Sequence, residues 1–297
     1  MIYSKLKGRL GNQMFQYATI RTIAEEKENK FCFQEPSLNF VNSIKERTRL
    51  LFGKANRYNF CNISNYFDLS DRYGIVNRLN QLNWSLCNYK YELAYTEKDH
   101  VNQIADISNI QDWTYVDGYF QSQEYFLANR DNVINWFTPK PNYLKRLNAL
   151  ENKIIGKETQ VCCVHIRRSD YKNIEYANRD EGWALPIEYY RRAIEQLNNV
   201  GLIIFITDDP EWVDTTFSWV KSKFVCRNEA PVVDMFLMSR CKYNIIANST
   251  FSWWGAWLNN KPDKVVIAPK YFLGWATKNW SPIGIGVSEW KYIDLSS

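Results

Sequence analysis

The sequence predicts an α/β protein with a doubly wound parallel sheet in its C-terminal half. From about residue 157, apolar runs such as "VCCVHI", "LIIFIT" and "KVVIAP" alternate with stretches of helical periodicity. Continuous apolar runs of this kind are typical of parallel strands that helices cover on both faces. The N-terminus shows the same order, with a short apolar run, a glycine-containing turn and a helical pattern.

The first element is predicted to be a strand over Ile2–Leu6, followed by the turn "KGRLG" and an amphipathic helix from Asn12 onward. The helical spacing of apolar residues supports this helix, and Arg21 is the exception within it. Residues 35–110 contain short aromatic segments and asparagine-rich turns. The pattern assigns no helix or strand there.

A change of pattern near "LENKIIGKETQ" predicts two domains, residues 1–156 and 157–297. Short apolar runs in the second domain predict strands, and the longer amphipathic stretches predict helices. In chain order these segments are "VCCVHI", "PIEYYRRAIEQLNN", "LIIFIT", "PEWVDTTFSWVKS", a run around Phe224–Cys226, "VVDMFLMSRC", "YNIIA", "FSWWGAWLNN" and "KVVIAP".

Composition and charge exclude several classes of protein. The net charge is +5 with basic residues spread along the chain, so no nucleic-acid-binding arm is predicted. A mild positive charge leaves an anionic substrate or an anionic membrane surface open. The cysteines form no C-x-x-C pair, which favours reduced thiols and gives no zinc site. No long apolar stretch opens the chain, so we expect a cytoplasmic protein.

Polar side chains follow three of the predicted strands, at the point where each apolar run stops. They are His165–Asp170, Thr207–Asp209 and Asn248–Thr250. In parallel sheets, ligands bind in the crevice beyond the carboxyl ends of the strands. The sequence therefore predicts a ligand site at this edge of the C-terminal sheet.

The residue types at this edge favour an anionic ligand. Arg167 and Arg168 carry planar guanidinium groups suited to phosphate, although ordinary salt bridges are the alternative. Asn248, Ser249 and Thr250 favour capping of the next helix, whose N-terminus would attract the same anion. A pyrophosphate between the arginines and this helix is therefore predicted.

Aromatic and acidic residues nearby extend this site. Phe251 is placed to pack on a ligand ring, whereas the three tryptophans of "FSWWGAW" are predicted to fill the core. Asp234 lies early in an apolar helical stretch, where a carboxylate accepts the paired N–H edge of guanine or simply charges the first helical turn. The sequence leaves both interpretations of Asp234 open.

The chain resembles the bacterial α-1,2-fucosyltransferases of glycosyltransferase family 11. The motifs "GRLGNQMFQYA", "HIRRSDY", "FITDD" and "NSTFSWWGAWL" carry the resemblance, in the family's order and at both ends of the chain. It implies a GT-B fold, in which two Rossmann-like domains face a cleft. Domain 157–297 would hold GDP-fucose, and domain 1–156 would lie on the acceptor side.

The resemblance also implies roles for single residues. Arg167 would be the main diphosphate ligand, and His165 and Asp234 would lie near the guanine and ribose. Ser249 and Thr250 would meet the phosphates. The further donor-site residues are Arg168, Thr207, Asp208, Asn248 and Phe251, and those facing fucose or acceptor are Gly11, Asn12 and Gln13.

Two segments depart from the family pattern. Ser169 replaces the glycine of the commoner H-I-R-R-G-D-Y sequence, and a serine fits only if the backbone dihedrals there are ordinary. The segment "KNIEYANRDEGWALPIEYY" after this motif also differs. Because that segment is expected to shape the acceptor pocket, the acceptor is left open.

The implied reaction is an inverting transfer from GDP-β-L-fucose to a galactoside hydroxyl. Arg167 and Arg168 would stabilise the leaving diphosphate, and no D-x-D triplet is present, so no metal is expected. Asp170 and Glu175 are the candidates for the general base, with Glu175 as a solvated loop acid the alternative. Asn12 is a further catalytic candidate.

The implied acceptor is a galactose-containing glycan of an O-antigen or capsule. Its assembly would place the protein in the cytoplasm, with peripheral contact with the inner membrane left open. Another GDP-sugar or UDP-sugar transferase, or a non-catalytic carbohydrate-binding protein, is the alternative. A dinucleotide-dependent oxidoreductase is excluded because no G-x-G-x-x-G follows a strand.

Overall fold

The computed structural model describes residues 2–34, 62–69, 104, 106–108, 110–112 and 114–295. Most of the region 35–110 lies outside these residues. In chain order, the described strands and helices are β1 (Ile2–Lys5), α1 (Leu10–Glu26), β2 (Phe31–Gln34), β3 (Thr114–Val116), α2 (Arg130–Trp136), α3 (Pro141–Ile154), β4 (Val161–Ile166), α4 (Ile187–Glu195), β5 (Leu202–Thr207), α5 (Pro210–Thr216), β6 (Lys223–Val225), α6 (Pro231–Ser239), β7 (Tyr243–Ile245), α7 (Thr250–Trp257), β8 (Val265–Pro269) and β9 (Lys291–Ile293).

The chain divides into two compact units, Met1–Lys140 and Pro141–Ser297. The boundary thus precedes α3, whereas the sequence placed it after residue 156. The reason is that α3 packs against α6 and is joined to the same unit by ion pairs. In these pairs Arg146 contacts Glu229, and Arg240 lies 3.6 Å from Glu151.

The first unit is built on a parallel sheet in which β1 lies between β2 and β3. Helix α1 covers it, and the ring of Tyr17 packs 5.4 Å from that of Phe33 and 5.9 Å from that of Phe137. Arg21, the charged exception within the helix, lies with its guanidinium 4.2 Å from the ring of Trp136 and pairs with Glu25. The helix therefore keeps a cation on an apolar face by a cation–π contact.

The second unit contains a fully parallel sheet of order β6-β5-β4-β7-β8-β9. Counted within the unit, this is the doubly wound order 3-2-1-4-5-6. The predicted parallel sheet is confirmed. All residues of β4 are buried, as expected for the central strand of a sheet covered on both faces. The last strand, β9, has no counterpart among the predicted segments.

Helices α6 and α7 approach each other closely on one face of this sheet. Trp253, Trp254 and Trp257 are buried and pack on one another, so their prediction as core residues is confirmed. A Cβ on Gly255 would lie 2.8 Å from the sulfur of Met238. Because the two helices approach closely, a side chain at this position would have to displace Met238 or move the helices apart.

Replacing Gly255 by alanine should destabilise the second unit, since overpacking a tight core costs about 1–3 kcal/mol. We expect chemical denaturation to show a loss of that order for Gly255→Ala. The matched control is Asn148→Ala on the exposed face of α3. An unchanged free energy of unfolding in Gly255→Ala would show that the helices separate without cost.

Candidate active site

The carboxyl ends of β4 and β7 lie side by side at the point where the strand order of the second sheet reverses. This is the position at which doubly wound sheets bind ligands. The segments that follow the two strands meet there, because the rings of His165 and Phe251 are 5.1 Å apart. The hydroxyl of Tyr171 also donates to the carbonyl of Asn248 at 3.2 Å. The strand-end groups predicted from the sequence are thus brought together.

Asp208, at the end of β5, fixes the turn that follows β4. Its Oδ1 accepts from the backbone N–H groups of Arg168 and Ser169, at 2.9 and 3.3 Å. Its Oδ2 accepts from the Ser169 hydroxyl at 2.7 Å and lies 3.1 Å from Nη1 of Arg167. Asp208, predicted as a donor-site residue, therefore stabilises the turn after β4.

Electrostatics at Asp208 follow from these contacts. Burial raises the pKa of this carboxyl, but the charge of Arg167 and the hydrogen bonds from Ser169 and Arg168 outweigh it and leave the pKa below its usual value. Asp208 is thus ionised and paired. Ser169 is not among the described residues with positive φ, so the condition for a serine at this position is met.

Arg167 is held between two carboxylates. Its Nη2 lies 2.6 Å from Oδ1 of Asp170, and its Nη1 contacts Asp208. The side chain is mostly buried, whereas that of Asp170 is 39% exposed. An anion that approached this edge would compete with the exposed Asp170 for the guanidinium, while Asp208 kept it oriented.

The guanidinium of Arg168, which the sequence assigned to the diphosphate, contacts other side chains in the structure. Nη2 and Nη1 donate to the two carboxylate oxygens of Glu181 at 2.6 and 3.2 Å. Its Cζ lies 3.8 Å from the ring centroid of Trp212. The side chain is 5% exposed, so a phosphate would reach it only by displacing Glu181. Nothing in the sequence around Glu181 singled it out as this partner.

Helix α7 begins at this edge. Ser249 occupies the N-cap position as predicted, but it makes no side-chain hydrogen bond to the helix. The Asn248 amide instead donates to the carbonyl of Trp183 at 2.9 Å. The first-turn N–H groups and the positive end of the helix suit an anion.

Two further predicted site residues are Thr207, at the end of β5, and Glu175, in the segment between β4 and α4. The Thr207 hydroxyl accepts from the backbone N–H of Asp209 at 3.0 Å, so it shapes the β5–α5 turn. Glu175 is exposed in the segment between β4 and α4. Its candidacy as a base stays a prediction.

Two buried groups near this edge are neutral at neutral pH. Burial lowers the pKa of His165 to about 4, although the Asp208 carboxylate opposes this. Burial, then the charge of Glu229, raises the pKa of Asp234 to about 8 against a hydrogen bond with Cys226. Within the described part of the chain, Nδ1 of His165 and Oδ1 of Asp234 have no hydrogen-bond partner. Such atoms are those that a bound ligand would satisfy.

In the first unit, the turn after β1 is held by glutamine side chains. Gln13 donates to the carbonyl of Gly8 and accepts from the N–H of Ile63, both at 2.9 Å, so it supports the backbone here. Its contact with the substrate stays a prediction. Asn12 is partly exposed and accepts from Gln121 at 2.8 Å. Gly11 is buried inside α1.

Two further findings bear on the chemistry of the protein. Within the described residues, no group of three or more His, Cys, Asp or Glu side chains is arranged to hold a metal ion. No helix of the described chain has the length and apolar character needed to cross a membrane.

The model of the Glycosyl transferase family 11 matches residues 1–293. The chain belongs to this family. It is a glycosyltransferase, as the sequence predicted. The O-antigen biosynthesis glycosyltransferase WbnK of Escherichia coli is 33% identical over 299 residues, covering 92% of this chain and 95% of that protein. An alpha-1,2-colitosyltransferase of Escherichia coli is 33% identical over 285 residues, covering 91% of each.

Solved structures share the fold of this family 11 chain. The α-1,6-fucosyltransferase NodZ soaked with GDP-fucose has a TM-score of 0.51 at 14% identity, covering 86% of this chain and 91% of that one. POFUT1 in complex with GDP has a TM-score of 0.54 at 11% identity, covering 90% and 97%. This likeness confirms the predicted α/β fold of the GT-B fucosyltransferases.

Asp234→Asn should make the protein more stable at pH 8. The pKa of Asp234 is raised from 3.8 in the unfolded chain to about 8 in the folded protein. The free energy of unfolding therefore falls as pH rises from about 4 to about 8. Removing the ionisable group should relieve a penalty on the order of 5 kcal/mol at pH 8 and little at pH 4. Thermal unfolding at the two pH values measures the difference.

The matched control is Asp263→Asn, since Asp263 is a surface acid with a side chain that is 63% exposed. It should leave the pH dependence of unfolding as in the wild type. If Asp234→Asn did the same, the Asp234 carboxyl would have to ionise in the folded protein at its ordinary pKa.

Proposed function

We propose that this glycosyltransferase transfers L-fucose from GDP-β-L-fucose, with inversion, to a galactoside hydroxyl and forms an α-1,2 linkage. The observation that carries the proposal is that Arg167, held by Asp208, and the N-terminus of α7 both lie at the switch point of the second sheet. The names of the family 11 relatives, one concerned with O-antigen biosynthesis and one with an α-1,2 linkage, support the acceptor class and the linkage.

Departure of GDP places negative charge on the diphosphate, and this charge must be stabilised in the transition state. Arg167 would supply a guanidinium oriented by Asp208, and α7 would supply backbone N–H groups. These groups need no metal to do so, and we expect transfer to continue in EDTA. His165, Asp234 and Phe251 would receive the nucleoside, with the guanine N–H groups directed at Oδ1 of Asp234.

The acceptor hydroxyl must lose its proton as it attacks. Asp170 is paired with Arg167, whereas Glu175 is exposed and has no ion pair among the described residues. A base needs a carboxylate that can accept a proton, so we assign this role to Glu175 rather than to Asp170. Asn12, which is partly exposed in the first unit, would hydrogen-bond to the acceptor.

A second donor is favoured by one specific observation. The relative named as an alpha-1,2-colitosyltransferase matches nearly the whole chain. GDP-colitose is therefore the alternative to GDP-fucose. With either donor, the product would be a repeat unit of an O-antigen or capsule, made in the cytoplasm or at the cytoplasmic face of the inner membrane.

The direct test measures GDP release from GDP-fucose, GDP-colitose, GDP-mannose and UDP-galactose, with and without lactose and with EDTA throughout. We expect lactose to stimulate release from GDP-fucose. Stimulated release from GDP-colitose alone would assign the second donor. Failure of the protein to bind GDP at all would contradict the proposal.

Arg167→Lys should lower the transfer rate by about 10²–10³-fold, because one ammonium does not replace a guanidinium held between Asp208 and the diphosphate. The measurement is kcat with GDP-fucose and lactose, together with the Kd for GDP by calorimetry. Arg191→Lys on the exposed face of α4 is the control. Normal kcat in Arg167→Lys would remove Arg167 from the mechanism.

Glu175→Gln should lower kcat by about 10²–10⁴-fold with an unchanged Kd for GDP, as loss of a general base does. Asp170→Asn is measured beside it, and Glu188→Gln on α4 is the surface control. A large loss of kcat in Asp170→Asn with a normal Glu175→Gln variant would transfer the role to Asp170.

A further inference from the structure

The segment between β4 and α4, residues 171–186, is fastened to the edge of the second sheet, and we refer to it as the loop 171–186. One fastening is the ion pair between Glu181 and Arg168 described above. A guanidinium presents its N–H groups in a rigid planar fork. Two sides of that fork meet Glu181, and its face meets Trp212. Arg168 is therefore bound to the loop and to α5.

Gly182 makes the Glu181 contact depend on the backbone of the whole loop. Its φ is +52°, and a Cβ there would lie 2.1 Å from the carbonyl oxygen of Ile174 and 2.6 Å from that of Tyr171. The next residue, Trp183, donates its N–H to the Tyr171 carbonyl at 3.1 Å. The loop thus closes on itself directly beside the residue that holds Arg168.

A second set of contacts fastens the loop to the segments that follow β7 and β8. The Trp183 carbonyl accepts from the amide of Asn248, and the Tyr176 hydroxyl accepts from the N–H of Ala276 at 3.3 Å. The guanidinium of Arg179 lies 4.4 Å from the ring centroid of Trp275, and the Tyr176 and Trp275 rings are 6.1 Å apart. The loop is therefore joined to the same edge that carries Arg167 and α7.

The tip of the loop is held in a conformation that the chain disfavours. Ala177 and Asn178 are consecutive residues with φ of +51° and +56°. Left-handed dihedrals are unfavourable for a non-glycine residue, and alanine lacks the local hydrogen bonds that help asparagine. Such conformations persist only where surrounding contacts enforce them, and they cluster at functional sites. Here the contacts of Glu181, Tyr176 and Arg179 enforce this conformation.

We propose that the Arg168–Glu181 ion pair positions the loop 171–186 to receive the sugar acceptor, and that both are positioning residues, not ligands of the donor. The exposed side chains of the loop include Asn173, Glu175 and Asn178, whose amides and carboxylate suit hydrogen bonding to sugar hydroxyls. The inference rests on the proposed function. It goes beyond the proposed function by assigning Arg168 to acceptor recognition.

The test compares Glu181→Gln with wild type by two readouts. We expect kcat/KM for lactose to fall at least about tenfold, as small misplacement of a positioning element does, while the Kd for GDP stays within about twofold. Amide hydrogen exchange over residues 173–180 should become faster. Glu195→Gln, an exposed acid of α4, is the control and should change neither quantity.

A fall in GDP affinity equal to the fall in kcat/KM would make Arg168 part of the donor site and overturn the inference. Unchanged kinetics with unchanged hydrogen exchange would overturn it as well. If Glu181→Gln does not fold, Glu181→Asp, which keeps the charge and shortens its reach, is measured in the same way. A wild-type protein that binds no GDP would instead contradict the proposed function.

Discussion

The geometry of the candidate site depends on the buried carboxylate of Asp208. It accepts hydrogen bonds from the turn after β4 with both oxygens and contacts the guanidinium of Arg167. A buried carboxylate is stable only when paired and hydrogen-bonded, so each of these contacts constrains the others. The parallel pairing of β4 with β5 brings this carboxylate to the turn. The orientation of Arg167 is thereby decided by the fold, before any ligand binds.

Two adjacent arginines consequently have different surroundings. Arg167 keeps an exposed partner, Asp170, which an anion could replace, while Arg168 is enclosed by Glu181 and Trp212. The first is suited to a leaving diphosphate and the second to holding the loop 171–186 in place. Donor binding and acceptor positioning would then depend on two adjacent arginines in the turn after β4. The neutral state of His165 and Asp234 completes the edge with polar groups that a nucleoside can satisfy.

Sequence patterns report burial and local periodicity, and the predictions that depend on these are confirmed. The apolar runs are the central strands, their polar ends share one edge, and the tryptophans of α7 lie in the core. The choice of partner across a turn was not predictable, because both arginines present the same chemistry and Glu181 lies in a loop without periodicity. Likewise, the sequence did not show whether the Gln13 amide hydrogen-bonds to the substrate or to the backbone. The unit boundary was misplaced because amphipathicity predicts that α3 is a helix, not which unit it packs on.

The most direct measurement is a crystal structure of the protein with GDP bound. We expect the diphosphate between the guanidinium of Arg167 and the first-turn N–H groups of α7, with Asp170 displaced and Arg168 still paired with Glu181. Asp234 should then accept from the guanine. A diphosphate bound away from α7, or an Arg168 that has left Glu181 to contact a phosphate, would contradict the account.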